Sequence, residues 1–198
     1  MEEEDSPTHT PRNRFKGVKI YVSVSNPAVR LKKYWPPKAD GKNTRPKPLN
    51  REEIQHLLAT VKAKMPHYYP LFLTAARTGL RLGELIALKW ECIDLHGRFI
   101  DVRHGWSRGE ISSTKSKKAR EVDMSQHLTD TLKSLLLRKK AEALKNGTGE
   151  IPELVFLTPG GTRLEENNLR KRVFHRALSL AELRQVRFHD FRHSFSSL

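Results

Sequence analysis

Residues 67–78 most constrain the fold, because a helix over this stretch is apolar on most of its sides through Leu71, Phe72, Leu73, Ala75 and Ala76. Such a helix has to be enclosed by other elements, so it should be central. Gly79 ends it, and a third helix follows with Leu82, Leu85, Ile86 and Leu88. The helix before it is signposted: Asn50 can cap it, Glu53 holds the capping-box position, and Leu49 and Ile54 can form a hydrophobic staple. Its apolar face is Ile54, Leu57, Leu58 and Val61. Between Arg98 and Met124 the period turns toward two, which predicts strands over 99–103 and 120–124 around a Ser/Lys-rich hairpin. Ser125 should cap a long helix with Leu128, Leu132, Leu135 and Leu136, stopped by Asn146-Gly147. A short strand over 154–157, a basic helix near 166–178 and a helical segment over 188–198 complete the pattern. The fold class is α+β, mostly α, with a small antiparallel sheet.

The charge narrows the partners. The 198 residues carry 37 Lys and Arg against 22 Asp and Glu, a formal net charge of +15. That balance favours polyanions, nucleic acid first and an acidic membrane surface second. No run approaches the length a membrane-spanning helix needs, and the acidic start Met1-Glu2-Glu3-Glu4-Asp5 does not read as a secretory signal. A single cysteine, Cys92, excludes a disulfide framework and any cysteine-based zinc cluster. The expectation is a soluble, intracellular, basic protein.

Residues 12–47 concentrate eleven Lys and Arg around one acid, Asp40, and the prolines from Pro11 to Pro46 break any continuous helix. Two readings stay open for residues 1–47: a disordered basic tail, or an extended linker running along a phosphate backbone. The folded domain is expected over 48–198.

Three constellations could carry chemistry. In Thr78-Gly79-Leu80-Arg81-Leu82-Gly83-Glu84-Leu85, a glycine turn delivers an arginine between two apolar helices, and Glu84 can hydrogen-bond it. Read alone, this is equally an ordinary surface ion pair. Lys115-Ser116-Lys117-Lys118 stands at a hairpin tip, where a lysine can act as a proton donor or phosphate contact, or simply be solvated. In His189-Asp190-Phe191-Arg192-His193, the helical repeat puts His189, Arg192 and His193 on one face and Phe188, Phe191 and Phe195 on another. The two histidines have the spacing of a metal pair, but Asp190 replaces the glutamate of a zinc protease and Arg192 brings positive charge, so no metal is expected. A nucleophile elbow and a Gly-rich phosphate loop are both absent.

Together and in this order, the three resemble the catalytic domain of the tyrosine recombinases, the phage integrase family. Thr78-Gly79-Leu80-Arg81 with Glu84-Leu85 resembles the segment of its first catalytic arginine. Lys115, followed by Arg120 and Val122, stands where its strand-borne lysine does, and His189-Asp190-Phe191-Arg192-His193 matches its His-x-x-Arg motif. Asn26-Pro27 and the stretch from Lys47 to Glu53 look like its interdomain linker and first helix, so the resemblance covers about 26–198.

The resemblance implies DNA strand breakage and rejoining through a tyrosine phosphodiester, with no cofactor and no metal. By position, Arg81 and Arg192 would clamp the phosphate, Lys115 would protonate the leaving oxygen and His189 would assist proton transfer. Glu84 and His193 would support them, while Lys117, Lys118, Arg120, Arg170, Lys171, Arg172 and Arg176 would contact DNA. Gly83 replaces a Ser or Thr frequent in the family, a change expected to matter little. The partners implied are double-stranded DNA and other recombinase protomers, not a membrane, in the cytoplasm on the nucleoid. The four tyrosines, Tyr21, Tyr34, Tyr68 and Tyr69, all precede Arg81. None matches the family's nucleophile, so the expected protein is a truncated catalytic domain for recombination or integration, inactive alone. The alternatives are a non-catalytic DNA-binding remnant of an integrase and, from another class, an unrelated basic helical adaptor.

Overall fold

The computed structural model describes residues 14–15, 18–19, 48–107, 110–113 and 120–193. The chain divides into two compact units, Met1–Thr44 and Arg45–Leu198. In the first, β1 (Arg14–Phe15) and β2 (Val18–Lys19) pair antiparallel. The remainder of the basic arm lies outside the described residues.

The second unit opens with α1 (Arg51–Lys64). Asn50 Oδ1 accepts from the Glu53 amide at 2.8 Å, and Glu53 Oε2 accepts from the Asn50 amide at 2.7 Å, which completes the capping box. Ile54, Leu57, Leu58 and Val61 are buried, as the 3.6-residue period requires. The enclosed helix, α2 (Tyr69–Thr78), buries all its residues from Pro70 to Ala76. It ends at Gly79, whose φ of 59° and ψ of 26° lie in the left-handed region where a side chain is costly. The turn leaves Leu80 fully buried and sends Arg81 outward at the start of α3 (Leu82–Ile86).

A single-turn 3₁₀ helix, Trp90–Cys92, leads into β3 (Ile93–Asp94). The predicted outer strands form as β4 (Phe99–Val102) and β7 (Arg120–Asp123), paired antiparallel from Phe99↔Asp123 to Val102↔Arg120. β3 joins the other edge of β4. Between them is a second hairpin, β5 (His104–Ser107) with β6 (Glu110–Ser113). The sequence pattern conceals it because Trp106 and Ile111 are its only large apolar residues, too few for a visible alternation.

α4 (Gln126–Lys145) follows Ser125, whose hydroxyl accepts from the Leu128 amide. The strand expected over 154–157 does not form. Isolated bridges join Leu154 to Lys89 and Leu157 to Arg163, and Val155, Phe156 and Leu157 are all buried. The stretch passes through the core between Pro152 and Pro159, so it buries both faces and has no room for a ladder. The basic helix is composite: α5 (Glu166–Asn168), a π-helical segment (Leu169–Phe174) and α6 (His175–Leu180). The last described helix is α7 (Phe188–His193).

An aromatic cluster seats α7. Phe174 lies 5.1 Å from Phe188, 5.7 Å from Phe191 and 6.1 Å from Phe72, centroid to centroid. Phe188 and Phe191 thus take the inner face of α7 and leave His189 and Arg192 on another.

Gly83 corrects one expectation. A Cβ there would lie 2.4 Å from the Trp106 carbonyl oxygen, a backbone atom that cannot rotate away. α3 can approach β5 only because position 83 has no side chain, so the glycine is required here. Gly83→Ser should destabilise the domain by about 1–3 kcal/mol, the usual cost of overpacking. Urea unfolding at neutral pH would measure it, and an unchanged midpoint would contradict the close approach.

Candidate functional site

Glu84 sits at the centre of a charged cluster on α3 and β7. Its carboxylate is 5% exposed, too buried to remain ionised without partners. Four donors supply them. Arg81 gives its amide to Oε2 at 2.8 Å and Nη1 to Oε1 at 2.9 Å. Arg120 gives Nη1 to Oε1 at 3.0 Å and Nη2 to Oε2 at 2.8 Å, a two-pronged contact suited to its planar fork. Burial pushes the Glu84 carboxyl up, but these hydrogen bonds and the charge of Arg120 outweigh it and hold the group below the usual carboxylate range.

Arg192 joins the cluster from α7. Burial lowers its pKa first, and the positive charges of Arg81 and Arg120 add to that, with Glu84 opposing. All three arginines and Glu84 are therefore within electrostatic reach of one another. Arg192 Nη1 is buried and has no hydrogen-bond partner among the described residues. Arg81 and Arg120 share one saturated carboxylate, and Arg192 adds a third positive charge and a buried donor with no acceptor among the described residues. A bound anion would complete that arrangement.

The start of α7 is fixed by a second ion pair. Arg187 donates Nε to Asp190 Oδ2 at 2.8 Å and Nη2 to Oδ1 at 2.9 Å, and its amide also reaches Oδ2 at 3.2 Å. The Arg187 hydrogen bond is the main reason the Asp190 carboxyl is held low. Asp190, noted from the sequence only as standing where a zinc protease has its glutamate, is thus the residue that closes the first turn of this helix. His189 is exposed one turn before Arg192.

The structure brings together Arg81, Glu84 and Arg192 of the sequence-derived set, with Arg120 beside them. The sequence reading gave Arg120 as a DNA contact, and its tie to Glu84 was not foreseen because 36 residues separate the two. Lys115, Lys117 and Lys118 lie outside the described residues, as does the side chain of His193. Arg170, Lys171, Arg172 and Arg176 are exposed along the π segment and α6. Arg170 is paired with Glu166. A further cation escaped the sequence reading: the Arg163 guanidinium stacks 3.7 Å above the Trp106 ring on β5. Among the described residues the one grouping of three potential metal ligands is Glu91, Cys92 and His104, which excludes His189.

The chain is similar to known recombinases in sequence and in fold. The sequence is 28% identical over 164 residues to the tyrosine recombinase XerC-like protein of Caldanaerobacter subterraneus, covering 74% of this chain and 41% of the relative. The fold matches the Tn1549 transposon integrase solved with transposon right end DNA, with a TM-score of 0.64 at 21% identity over 78% of this chain and 54% of that one. It also matches a lambda integrase tetramer bound to a Holliday junction, with a TM-score of 0.54 at 18% identity over 76% of this chain and 40% of that one. The chain thus spans about half the length of these proteins, or less. The family model of the phage integrases covers residues 47–198. With that match over most of its length, and with the catalytic-domain fold of the tyrosine recombinases, this chain belongs to the phage integrase family.

Proposed function

We propose that this chain forms the phosphate-binding part of a recombinase that breaks and rejoins DNA strands at specific sites. The observation that carries the reading is the excess of positive charge around Glu84, with the buried, unpartnered Nη1 of Arg192. A phosphodiester gains negative charge as it becomes pentavalent, and fixed guanidinium groups stabilise that state more than the ground state. Arg81 and Arg192 hold the non-bridging oxygens, and Glu84 orients both Arg81 and Arg120. Lys115 protonates the leaving 5′-oxygen, and His189, adjacent on α7, assists the proton transfer. His193 has the supporting role that the family resemblance implies.

We assign the attacking oxygen to a tyrosine other than Tyr68 and Tyr69. Tyr68 and Tyr69 stand at the start of α2 packed against the core, and burial pushes both phenols up, which disfavours the phenolate. The energy of the broken bond is retained in the phosphotyrosine, so the reaction needs no nucleotide. Because a relative of this fold assembles as a tetramer on DNA, we propose that several protomers act together on a duplex within the nucleoid. The exposed Arg170, Lys171, Arg172 and Arg176, with Lys117 and Lys118, follow the phosphate backbone. Among the described residues no helix is long and apolar enough to cross a membrane.

Duplex binding followed by fluorescence anisotropy across a salt series tests the reading. Affinity should fall with a log–log slope of about −0.9 per phosphate neutralised. Arg192→Ala should weaken binding and flatten that slope by about 1. A salt-independent affinity, or a variant slope equal to that of the parent chain, would refute a phosphate role for this pocket.

A further inference from the structure

On the 3₁₀ turn after α3 and on β5, ligand atoms of Glu91, Cys92 and His104 all lie within 4.8 Å of one another. Their placement follows from the backbone. β3 and β4 pair with Ile93 opposite Ile100, and continuing that register by one residue brings Cys92 level with Asp101. Three residues beyond Asp101, the chain enters β5 with His104. Cys92 is buried, His104 half-buried and Glu91 exposed, so the group opens to the surface on the glutamate side.

A second observation points the same way. Asp101 Oδ2 accepts from Arg103 Nε at 2.6 Å, while Oδ1 is buried without a hydrogen-bond partner among the described residues. A buried acceptor without a donor is costly, and a cation nearby would relieve that cost.

We propose that Glu91, Cys92 and His104 form a transition-metal site, with a water as the fourth ligand. One thiolate, one imidazole and one carboxylate match the ligand preferences of Zn²⁺, whose tetrahedral shell sets ligand atoms about 3.5 Å apart. The ligand atoms here are at most 4.8 Å apart, and the exposed Glu91 can rotate to close the shell. Lys89, whose Nζ stands 3.7 Å from Glu91 and 2.6 Å from Glu153, keeps its second partner when Glu91 turns to the metal. The sequence reading took the single cysteine to exclude any cysteine-based zinc cluster, and this mixed set, which needs only one thiolate, departs from it. The metal would fasten the turn after α3 to β5, the strand on which Gly83 packs.

Co²⁺ titration of the full chain tests the proposal, because a thiolate–cobalt charge-transfer band can arise only from Cys92. The expected result is a band saturating at one equivalent and suppressed by competing Zn²⁺. Cys92→Ser should abolish the band. His104→Gln, at a less buried position, should lower the affinity for Zn²⁺ by about tenfold or more, since losing a ligand costs at least as much as losing its outer-shell support. Circular dichroism would confirm that each variant is folded, and His104→Gln decides the matter if the serine variant is not. No charge-transfer band in the parent chain, or an unaltered Zn²⁺ affinity in folded His104→Gln, would overturn the proposal.

Discussion

Glu84→Ala should cost the domain about 3–5 kcal/mol, the loss expected when one member of a buried charge cluster is removed and the others are left behind. The number is large because Glu84 is, among the described residues, the one carboxylate that Arg81 and Arg120 share, and Arg192 adds repulsion. Chemical denaturation at neutral pH measures it directly. The variant should recover part of its stability in phosphate or sulfate, where a bound anion replaces the missing charge, and a loss insensitive to such anions would mean the cluster is not an anion site. The parent protein should show the same dependence on acid. A carboxyl held below its ordinary range contributes stability that is complete above its unfolded pKa and is lost as pH falls through the folded value. Glu84 and Asp190 are both held low, so stability should be flat near neutrality and decline below about pH 4.

Phe174→Ala should be comparably damaging, at about 3–5 kcal/mol for removal of a buried ring. Phe174 is fully buried and contacts Phe72, Phe188 and Phe191. The distinctive consequence concerns function. Phe188 and Phe191 are the means by which α7 is seated, and Arg192 is carried on that helix. The variant should therefore lose much of the contribution of Arg192 to duplex binding even where it remains folded. Phe174→Leu, which keeps most of the volume, should retain that binding. Equal binding by the alanine variant and the parent chain would show that the cluster does not position the arginine.

What the sequence made legible was local. The capping box at Asn50, the enclosed helix ended by Gly79 and the two faces of the 188–193 segment each depend on residues within a turn or two, where spacing translates directly into geometry. Glu84 beside Arg81 belongs to the same class. Arg120 does not: its bond to Glu84 depends on the register of β4 with β7, which no local period reveals. The β5–β6 hairpin escaped for lack of apolar alternation, and the stretch 154–157 misled because three consecutive buried residues can be a strand or simply a crossing of the core. Gly83 was misjudged for a related reason. The Trp106 carbonyl that forbids a side chain there is brought in by tertiary packing alone.

The Glu84–Arg120 contact also bears on the order in which the protein can form. A link across 36 residues closes a loop whose entropy has to be offset before the contact stabilises anything. Helices α1 to α3 can nucleate from neighbouring residues, but the carboxylate acquires its full set of donors only after β7 has joined the sheet. Until then Glu84 is short of partners and Arg120 is one more solvated cation. The proposed phosphate pocket is thus completed late, as a product of finished strand pairing rather than of local helix formation.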